Sequence, residues 1–306
     1  MRLLKKEWGY FRKNSDIFLF SLPGVIKLLI FAYLPMFGIM IAFKEYRYDL
    51  GIIGSPWVGL QNFEFLFQSD VLYRITRNTV VYNLIFIIVG TAAGLMLAML
   101  LNELKRGWVK VHQTIMFIPF FLSWVVIGYV GLAFLDPQKG YVNVILVELG
   151  RQPINFYNDA TYWPLILVLA NLWKGIGFTT LVYYAGIMGI DPTYYEAARM
   201  DGATKRQMAL RITLPALAPL ISVLLILAMG GMFRGDFGLF FFLPNNSPFL
   251  FRSTEIIDTY VYRSLQSIGT LGMTAAVGLF QSVIGFILVI GSNLIVRKLD
   301  DDNALF

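Results

Sequence analysis

Long apolar runs, separated by shorter polar stretches, dominate the chain. A helix needs about 20 mostly apolar residues to cross the roughly 30 Å hydrocarbon core of a bilayer. Six segments meet this requirement, at about 17–43, 79–101, 113–135, 163–187, 214–233 and 272–296. The pattern predicts an all-α membrane protein in which six transmembrane helices form a single domain over residues 1–306.

The first apolar run follows a basic start, Met1-Arg2-Leu3-Leu4-Lys5-Lys6, which resembles a secretory signal. The run is too long for a signal peptide and no small-residue cleavage site ends it, so we interpret it as a retained span. Pro23 and Pro35 lie inside it, and we expect kinks there.

Composition narrows the functional classes. Of the 306 residues, 57% are apolar and 14% charged, against about 45–50% and 25% in soluble domains. The net charge of +6 could suggest nucleic acid, but 26 Phe, 16 Tyr and 6 Trp among long apolar runs favour a bilayer. With no Cys and one histidine, His112, we expect no metal site and no catalytic residue, and an intramembrane enzyme has little support.

The distribution of charge predicts the orientation of the chain. If the N-terminus is cytoplasmic, the inner segments hold 14 basic and nine acidic residues, and the outer segments nine basic and ten acidic. Basic residues are enriched in cytoplasmic loops. Both termini are therefore predicted to be cytoplasmic, with 44–78, 136–162 and 234–271 outside.

The inner segment between the fourth and fifth spans, residues 189–213, predicts a bent pair of short helices, here called the elbow. Asp191 is a good N-cap and Pro192 suits the first helical position, so a helix is expected over 192–200. Gly202, after Asp201, can end it in the left-handed conformation. A second short helix is expected over 203–212, before Pro215 opens the next span.

The elbow suits contact with another protein. Ala197 and Ala198 permit close backbone approach, and Glu196 can pair with an arginine of a partner. An amphipathic helix whose basic residues meet lipid headgroups remains an open alternative.

The elbow also resembles a known signature. Its pattern is Glu196-Ala197-Ala198, three residues, Gly202, nine residues, Ile212, one residue, then Leu214-Pro215. This pattern is similar to the signature loop of the permease subunits of bacterial ABC importers. Asp201 before Gly202 and Pro219 after Pro215 resemble the sugar-importer branch.

Other segments extend the resemblance to a narrower branch. Residues 256–263 and 276–282 resemble permeases that import oligosaccharides cut from complex polysaccharides. The chain lacks the large second outer domain and extra N-terminal spans of the maltose-type subunit, so docking geometry cannot be carried over from that protein.

The resemblance implies the type I ABC importer fold, alternating access and a multi-pass location in the bacterial cytoplasmic membrane. The chain has no phosphate-binding GxxxxGK[ST] run. We therefore expect no cofactor here, with ATP and Mg²⁺ in two partner ATP-binding subunits. A second, different permease subunit, an extracellular solute-binding protein and membrane lipid are the other expected partners, and no nucleic acid. The elbow would couple this chain to the ATPase, through Glu196 as ion-pair partner, Ala197 and Ala198 as contact surface, Gly202 as the turn and Asp201 as its orienting residue.

Sugar transport requires aromatic platforms and hydrogen-bonding side chains near mid-membrane. Candidates for the path on the fourth and last spans are Asn171, Trp173, Lys174, Phe178, Tyr183, Gln281 and Ser282. A charge within a span must face protein or water, so Lys174 either lines the path or pairs with a carbonyl or carboxylate at the subunit interface.

Two functional alternatives remain open. One is a secondary carrier driven by ions, although such carriers usually show inverted repeats and buried ionisable residues, which this chain does not evidently contain. The other is an ABC permease for a solute that is not a sugar.

Overall fold

The computed structural model describes residues 15–68, 70–268 and 271–299. These residues are almost entirely helical, and within them the only β-type pairing is an isolated bridge between Lys44 and Trp57. Four helical segments are long and apolar enough to cross a membrane: Asp16–Phe43, Val71–Asn102, Trp163–Met188 and Leu271–Lys298. Two bent helix pairs raise the number of spans in this part of the chain to six if each pair counts as one.

The α-helices are numbered in chain order. They are α1 (Ser15–Leu28), α2 (Gly51–Gly54), α3 (Gln61–Gln68), α4 (Asp70–Asn102), α5 (Arg106–Phe117), α6 (Trp124–Leu135), α7 (Tyr141–Glu148), α8 (Trp163–Met188), α9 (Pro192–Met200), α10 (Lys205–Met208), α11 (Leu214–Ala216), α12 (Ala218–Gly230), α13 (Phe237–Phe242), α14 (Phe251–Thr254), α15 (Ile257–Ile268) and α16 (Leu271–Leu299).

The chain divides into two compact units, 1–67 with 268–279, and 68–267 with 280–306. Helix α16 contributes residues to both. The expectation of one membrane domain over 1–306 concerns the whole chain and stays a prediction. The basic N-terminal residues and the acidic residues 300–302 that entered the orientation argument lie outside the described residues.

In the first unit, the first span changes its helical type along its length. Helix α1 continues through Pro23. A π turn over Leu29–Tyr33 and a 3-10 segment over Leu34–Phe43, which begins next to Pro35, complete the span. Beyond it, the buried Lys44 donates from Nζ to the carbonyls of Ile52 and Ile53, each at 2.8 Å.

In the second unit, α4 and α8 pack along each other and organise two apolar cores. One core surrounds the fully buried Trp163 and Leu167, with Tyr82 and Phe240 against them. The other contains Leu95, Ala98, Tyr183, Ile187 and Leu217. A close helix pair of this kind excludes solvent from both cores.

The third predicted span, 113–135, is not a straight helix. Helix α5 passes into a 3-10 turn over Ile118–Phe121, the chain breaks, and α6 starts at Trp124 with its axis turned by 97°. Pro119 has no N–H to continue the α-helical ladder. Ser123 caps the new helix by accepting from the backbone N–H of Val126 at 3.3 Å.

The fifth predicted span, 214–233, also differs from the expectation. It starts earlier, within a helical stretch over Lys205–Ala216, and bends by 58° before α12. Helix α12 ends at Gly230, and residues 231–233 form a turn.

Candidate functional site: the elbow and the broken third span

The first helix of the elbow, α9, is closed at both ends by its own residues. Asp191 accepts a hydrogen bond from the backbone N–H of Thr193 at 2.9 Å, and Pro192 occupies the first turn. This bond, together with a hydrogen bond from the side chain of Thr193, lowers the pKa of the Asp191 carboxyl.

At the other end of α9, Gly202 has φ +77°. The N–H of Ala203 bonds to the carbonyl of Ala198 at 2.9 Å, and that of Gly202 to Arg199 at 3.0 Å. This pair of bonds is the Schellman arrangement that ends a helix at a glycine. The structure therefore shows the helix over Pro192–Met200 with a glycine turn after it.

The second helix of the elbow is shorter than expected. Helix α10 covers Lys205–Met208, and a π turn over Ala209–Thr213 leads into the fifth span. Thr204 and Gln207 cap it reciprocally, with N···O distances of 2.8 and 3.3 Å. This capping box was not predicted, although the Thr204-x-x-Gln207 spacing signals it.

Two contacts hold the elbow in place. The hydroxyl groups of Tyr195 and Thr213 lie 2.9 Å apart and join α9 to the base of the fifth span. Lys205 forms an ion pair with Glu103, just beyond the end of α4. Neither contact was expected from the sequence, because each joins residues far apart in the chain or in different turns.

The outer face of α9 is open, with no buried residue along its length. Glu196 and Ala197 are exposed, Ala198 is half-buried and Met200 is 88% exposed. Glu196 forms no ion pair with any residue that the structure describes. Behind the helix, Glu196 and Arg199 border a cleft of about 440 Å³.

Lys174 is held at the break of the third span. Its Nζ donates to the carbonyl of Phe120 at 2.8 Å and to that of Leu122 at 2.7 Å. The ammonium also lies 5.5 Å from the ring centres of both Phe120 and Trp124. The charge of Lys174 is thus satisfied by backbone carbonyls of this chain that the break leaves without helical bonds, and its role in the path stays a prediction.

The aromatic side chains around Lys174 form a connected group. Phe178, which is 48% exposed, stacks on Phe120 with ring centres 5.2 Å apart. Trp124 donates from Nε1 to Asp236 at 2.6 Å, and Asp236 in turn caps α13. Phe120 and Trp124 were not predicted as path residues, and their position near Pro119 was the available signal.

The remaining path candidates occupy different surroundings. Trp173 is 46% exposed and Asn171 is half-buried. Gln281 is buried and donates to the carbonyl of Phe233 at 2.6 Å, and Ser282 accepts from Arg234 at 3.0 Å. Lys174 and Phe178 thus share one group, while Gln281 and Ser282 hold the turn after the fifth span.

Tyr183 is 1% exposed and lies in the core that contains Leu95, Ala98 and Leu217. Its side chain fills the space between α4 and α8, so this structure does not open it to a solute. Among the described residues, no group of three or more His, Cys, Asp or Glu side chains could hold a metal ion.

Residues 90–301 match the protein-family model described as "Binding-protein-dependent transport system inner membrane component". The match covers more than half of the chain. The chain therefore belongs to this family, which agrees with the resemblance carried by the elbow, and it is a multi-pass membrane protein with the type I ABC permease fold.

Known relatives cover nearly the whole length. The polygalacturonan/rhamnogalacturonan transport system permease protein YteP of Bacillus subtilis (strain 168) is 36% identical over 291 residues, which cover 95% of this chain and 90% of YteP. A crystal structure of a bacterial ABC transporter that imports the acidic polysaccharide alginate has a similar chain, with a TM-score of 0.86, 33% identity and coverage of 96% and 99%.

A second structure shows a bacterial alginate ABC transporter in complex with an alginate pentasaccharide-bound periplasmic protein. Its similar chain has a TM-score of 0.85 and 32% identity, and the alignment covers 95% of this chain and 97% of that one.

Proposed function

We propose that this chain is one of two permease subunits of an ATP-driven importer and forms part of the path for an oligosaccharide delivered by an extracellular solute-binding protein. The observation that carries the coupling role is the geometry of α9, which is capped at both ends, anchored at Tyr195, and exposes the unpaired Glu196. A short rigid helix with an open face can transmit a displacement to the spans that it joins.

The cargo class rests on relatives. YteP is named for polygalacturonan and rhamnogalacturonan, and the two structural neighbours for alginate. All three names concern polymers or oligomers of sugars. Their identities of 32–36% over at least nine tenths of each chain support the same class of cargo here.

In the proposed coupling contact, Glu196 pairs with an arginine of an ATP-binding subunit, while Ala197 and Ala198 allow its backbone to approach. Gly202 supplies the turn, and Asp201 orients it. ATP and Mg²⁺ are bound by the partner subunits, and this chain contributes no catalytic residue. Nucleotide can shift the equilibrium between inward- and outward-facing states only if the ATP-binding subunit binds the elbow with a different free energy in each state.

In the proposed path, Asn171, Trp173, Phe178 and Ser282 contact the solute. The exposed ring of Phe178 offers a flat apolar face of the kind that packs against a sugar ring. Lys174 acts indirectly, because its contacts fix the break that places Phe120 beside Phe178. Tyr183 and Gln281 are left out of the path because both are buried.

The test uses the complete importer in vesicles, with solute uptake and solute-stimulated ATP hydrolysis measured together. We expect Glu196→Ala and Gly202→Pro each to lower both activities by about tenfold or more, which corresponds to about 1.4 kcal/mol of lost coupling. Glu148→Ala removes an equally exposed carboxylate from α7 and serves as the control.

Normal uptake and hydrolysis in both elbow variants would refute the coupling role. Uptake by the purified chain alone, under an ion gradient and without nucleotide, would favour a secondary carrier instead.

A further inference from the structure

A groove with three arginines lies where α4 and α8 begin. On α4 it is lined by Arg74, Arg77, Asn78, Val81, Tyr82 and Ile85. These positions follow the i, i+3, i+4, i+7 spacing of a single helix face. The opposite wall comes from Ala160, Thr161 and Pro164 and from Arg252 and Ser253, and the volume of the groove is about 650 Å³.

The groove is preorganised by hydrogen bonds between its walls. Asn78 donates from Nδ2 to the carbonyls of Arg252 and Glu255 at 3.2 and 3.0 Å. The Tyr82 hydroxyl donates to the carbonyl of Ser253 at 2.8 Å. The wall that carries Arg252 is therefore fixed against α4, and a ligand would find its partners already placed.

Two of the three arginines in the groove have no carboxylate partner among the described residues. Arg74 pairs with the buried Glu255 at 2.7 Å, and Arg263 pairs with the same carboxylate. Arg77 and Arg252 are exposed and form no ion pair within the described part of the chain. Among the residues that the structure describes, no Asp or Glu lines the groove. The two free guanidinium groups form a site for an anion that can accept hydrogen bonds from both.

The groove becomes apolar along its length. From Arg74 to Ile85 it extends about 16 Å along α4, at 1.5 Å per residue. Val81 is 43% exposed, and the apolar surface continues past the groove with Ile88 at 59% and Leu165 at 64%. Both α4 and α8 are long and apolar enough to span a membrane. The arginines thus mark the end of two spans, and the apolar part enters the hydrocarbon.

We propose that this groove binds an anionic phospholipid, with the phosphate between Arg77 and Arg252 and an acyl chain along Val81 and Ile85. The two arginines at the end of the spans suit the phosphate group of a lipid, and the apolar stretch beside Val81 and Ile85 suits its acyl chain. A carboxylate on a soluble protein would pair with the arginines and leave the apolar part of the groove exposed. The inference requires only that the chain spans a membrane, and it is independent of the cargo.

The test is native mass spectrometry of the complete importer, extracted from nanodiscs that contain equal amounts of phosphatidylglycerol and phosphatidylcholine. We expect the wild type to retain phosphatidylglycerol selectively, and Arg77→Gln with Arg252→Gln to lower that selectivity roughly 30-fold, from about 1 kcal/mol per arginine. Lys139→Gln with Arg151→Gln removes the same charge from another exposed region and is expected to change nothing.

Several results would overturn the proposal. Equal retention of phosphatidylglycerol by the wild type and the arginine variant would do so, as would equal retention of the two lipids by the wild type. Displacement of the lipid by excess inorganic phosphate would show that Arg77 and Arg252 bind a free anion instead. Weaker docking of the solute-binding protein with unchanged lipid retention would assign it to a protein contact. A melting temperature within about 2 °C of the wild type shows that the variant is folded.

Discussion

At the scale of single residues, Lys174 shows how one side chain can supply hydrogen bonds to backbone carbonyls at a break in a span. Its ammonium donates hydrogen bonds to the carbonyls of Phe120 and Leu122, which the break leaves without intrahelical donors. Lys174→Met keeps the length of the side chain and removes its donors. We expect it to destabilise the protein by about 1 kcal/mol, the lower end of the cost of leaving polar groups unpaired, because these groups are only partly buried.

The measurement is thermal unfolding of the purified importer in detergent. Lys27→Met is the matched control, since Lys27 is an exposed residue of α1 and has no hydrogen bond or ion pair with other described residues. If Lys174→Met unfolds at the wild-type temperature, the carbonyl contacts do not stabilise the break.

Asp258 provides a second prediction at this scale. Burial raises the pKa of its carboxyl, although the backbone N–H of Gly235, at 2.8 Å, and the side chain of Gln281 lower it. The folded state therefore keeps a proton at pH values where the unfolded state has lost it. The stabilising contribution is complete below the ordinary carboxyl pKa and is lost as the pH rises through the raised value.

We expect the melting temperature of the wild type to fall relative to Asp258→Asn as the pH rises through that window, because the amide stays neutral. Asp136 supplies a control of opposite sign. Hydrogen bonds from the backbone of Lys139 and Gln138 lower its pKa, so its contribution is lost as the pH falls. The same sign for Asp258→Asn and Asp136→Asn would contradict the assignment.

At the scale of elements, a glycine sets the distance between α5 and α8. A β-carbon built on Gly177 would overlap the carbonyl group of Met116 and lie 2.9 Å from Cα of Phe117, whereas one on Gly175 has nothing within 4 Å. We therefore expect Gly177→Ala to destabilise the protein by about 1–3 kcal/mol, the usual cost of overpacking, and Gly175→Ala to be tolerated. Comparing the melting temperatures of the two variants checks this, and equal values would show that α5 yields easily.

The elements differ in how far the sequence predicts them. Helix α9 depends on local signals, Asp191 before Pro192 and Gly202 after Met200, so its bounds agree with the expectation. The 97° break at Ser123 lies in a mostly apolar run, in which Pro119 signals an interruption of the helix but not the angle of the bend. The partners of Lys174 and the burial of Tyr183 depend on packing between distant segments, which a pattern along one chain does not specify.

At the scale of the whole molecule, the broken span and the elbow are parts of the same helix system. Lys174, near the middle of α8, holds the break, and α8 ends at Met188, just before the elbow. The proposed displacement at α9 therefore reaches the aromatic group around Phe120 through one continuous helix. This arrangement requires that α9 and the loop before α8 lie on opposite sides of the membrane, which the distribution of charge predicts.

That orientation can be tested directly, because the chain has no cysteine. Met200→Cys places a thiol on the elbow at a position that is 88% exposed, and Arg151→Cys places one on the exposed loop between α7 and α8. With a maleimide that does not cross membranes, we expect intact cells to label at residue 151 only, and permeabilised cells at both positions. Labelling of residue 200 in intact cells would place the elbow outside, where no ATP-binding subunit could reach Glu196, and would refute both the orientation and the coupling role.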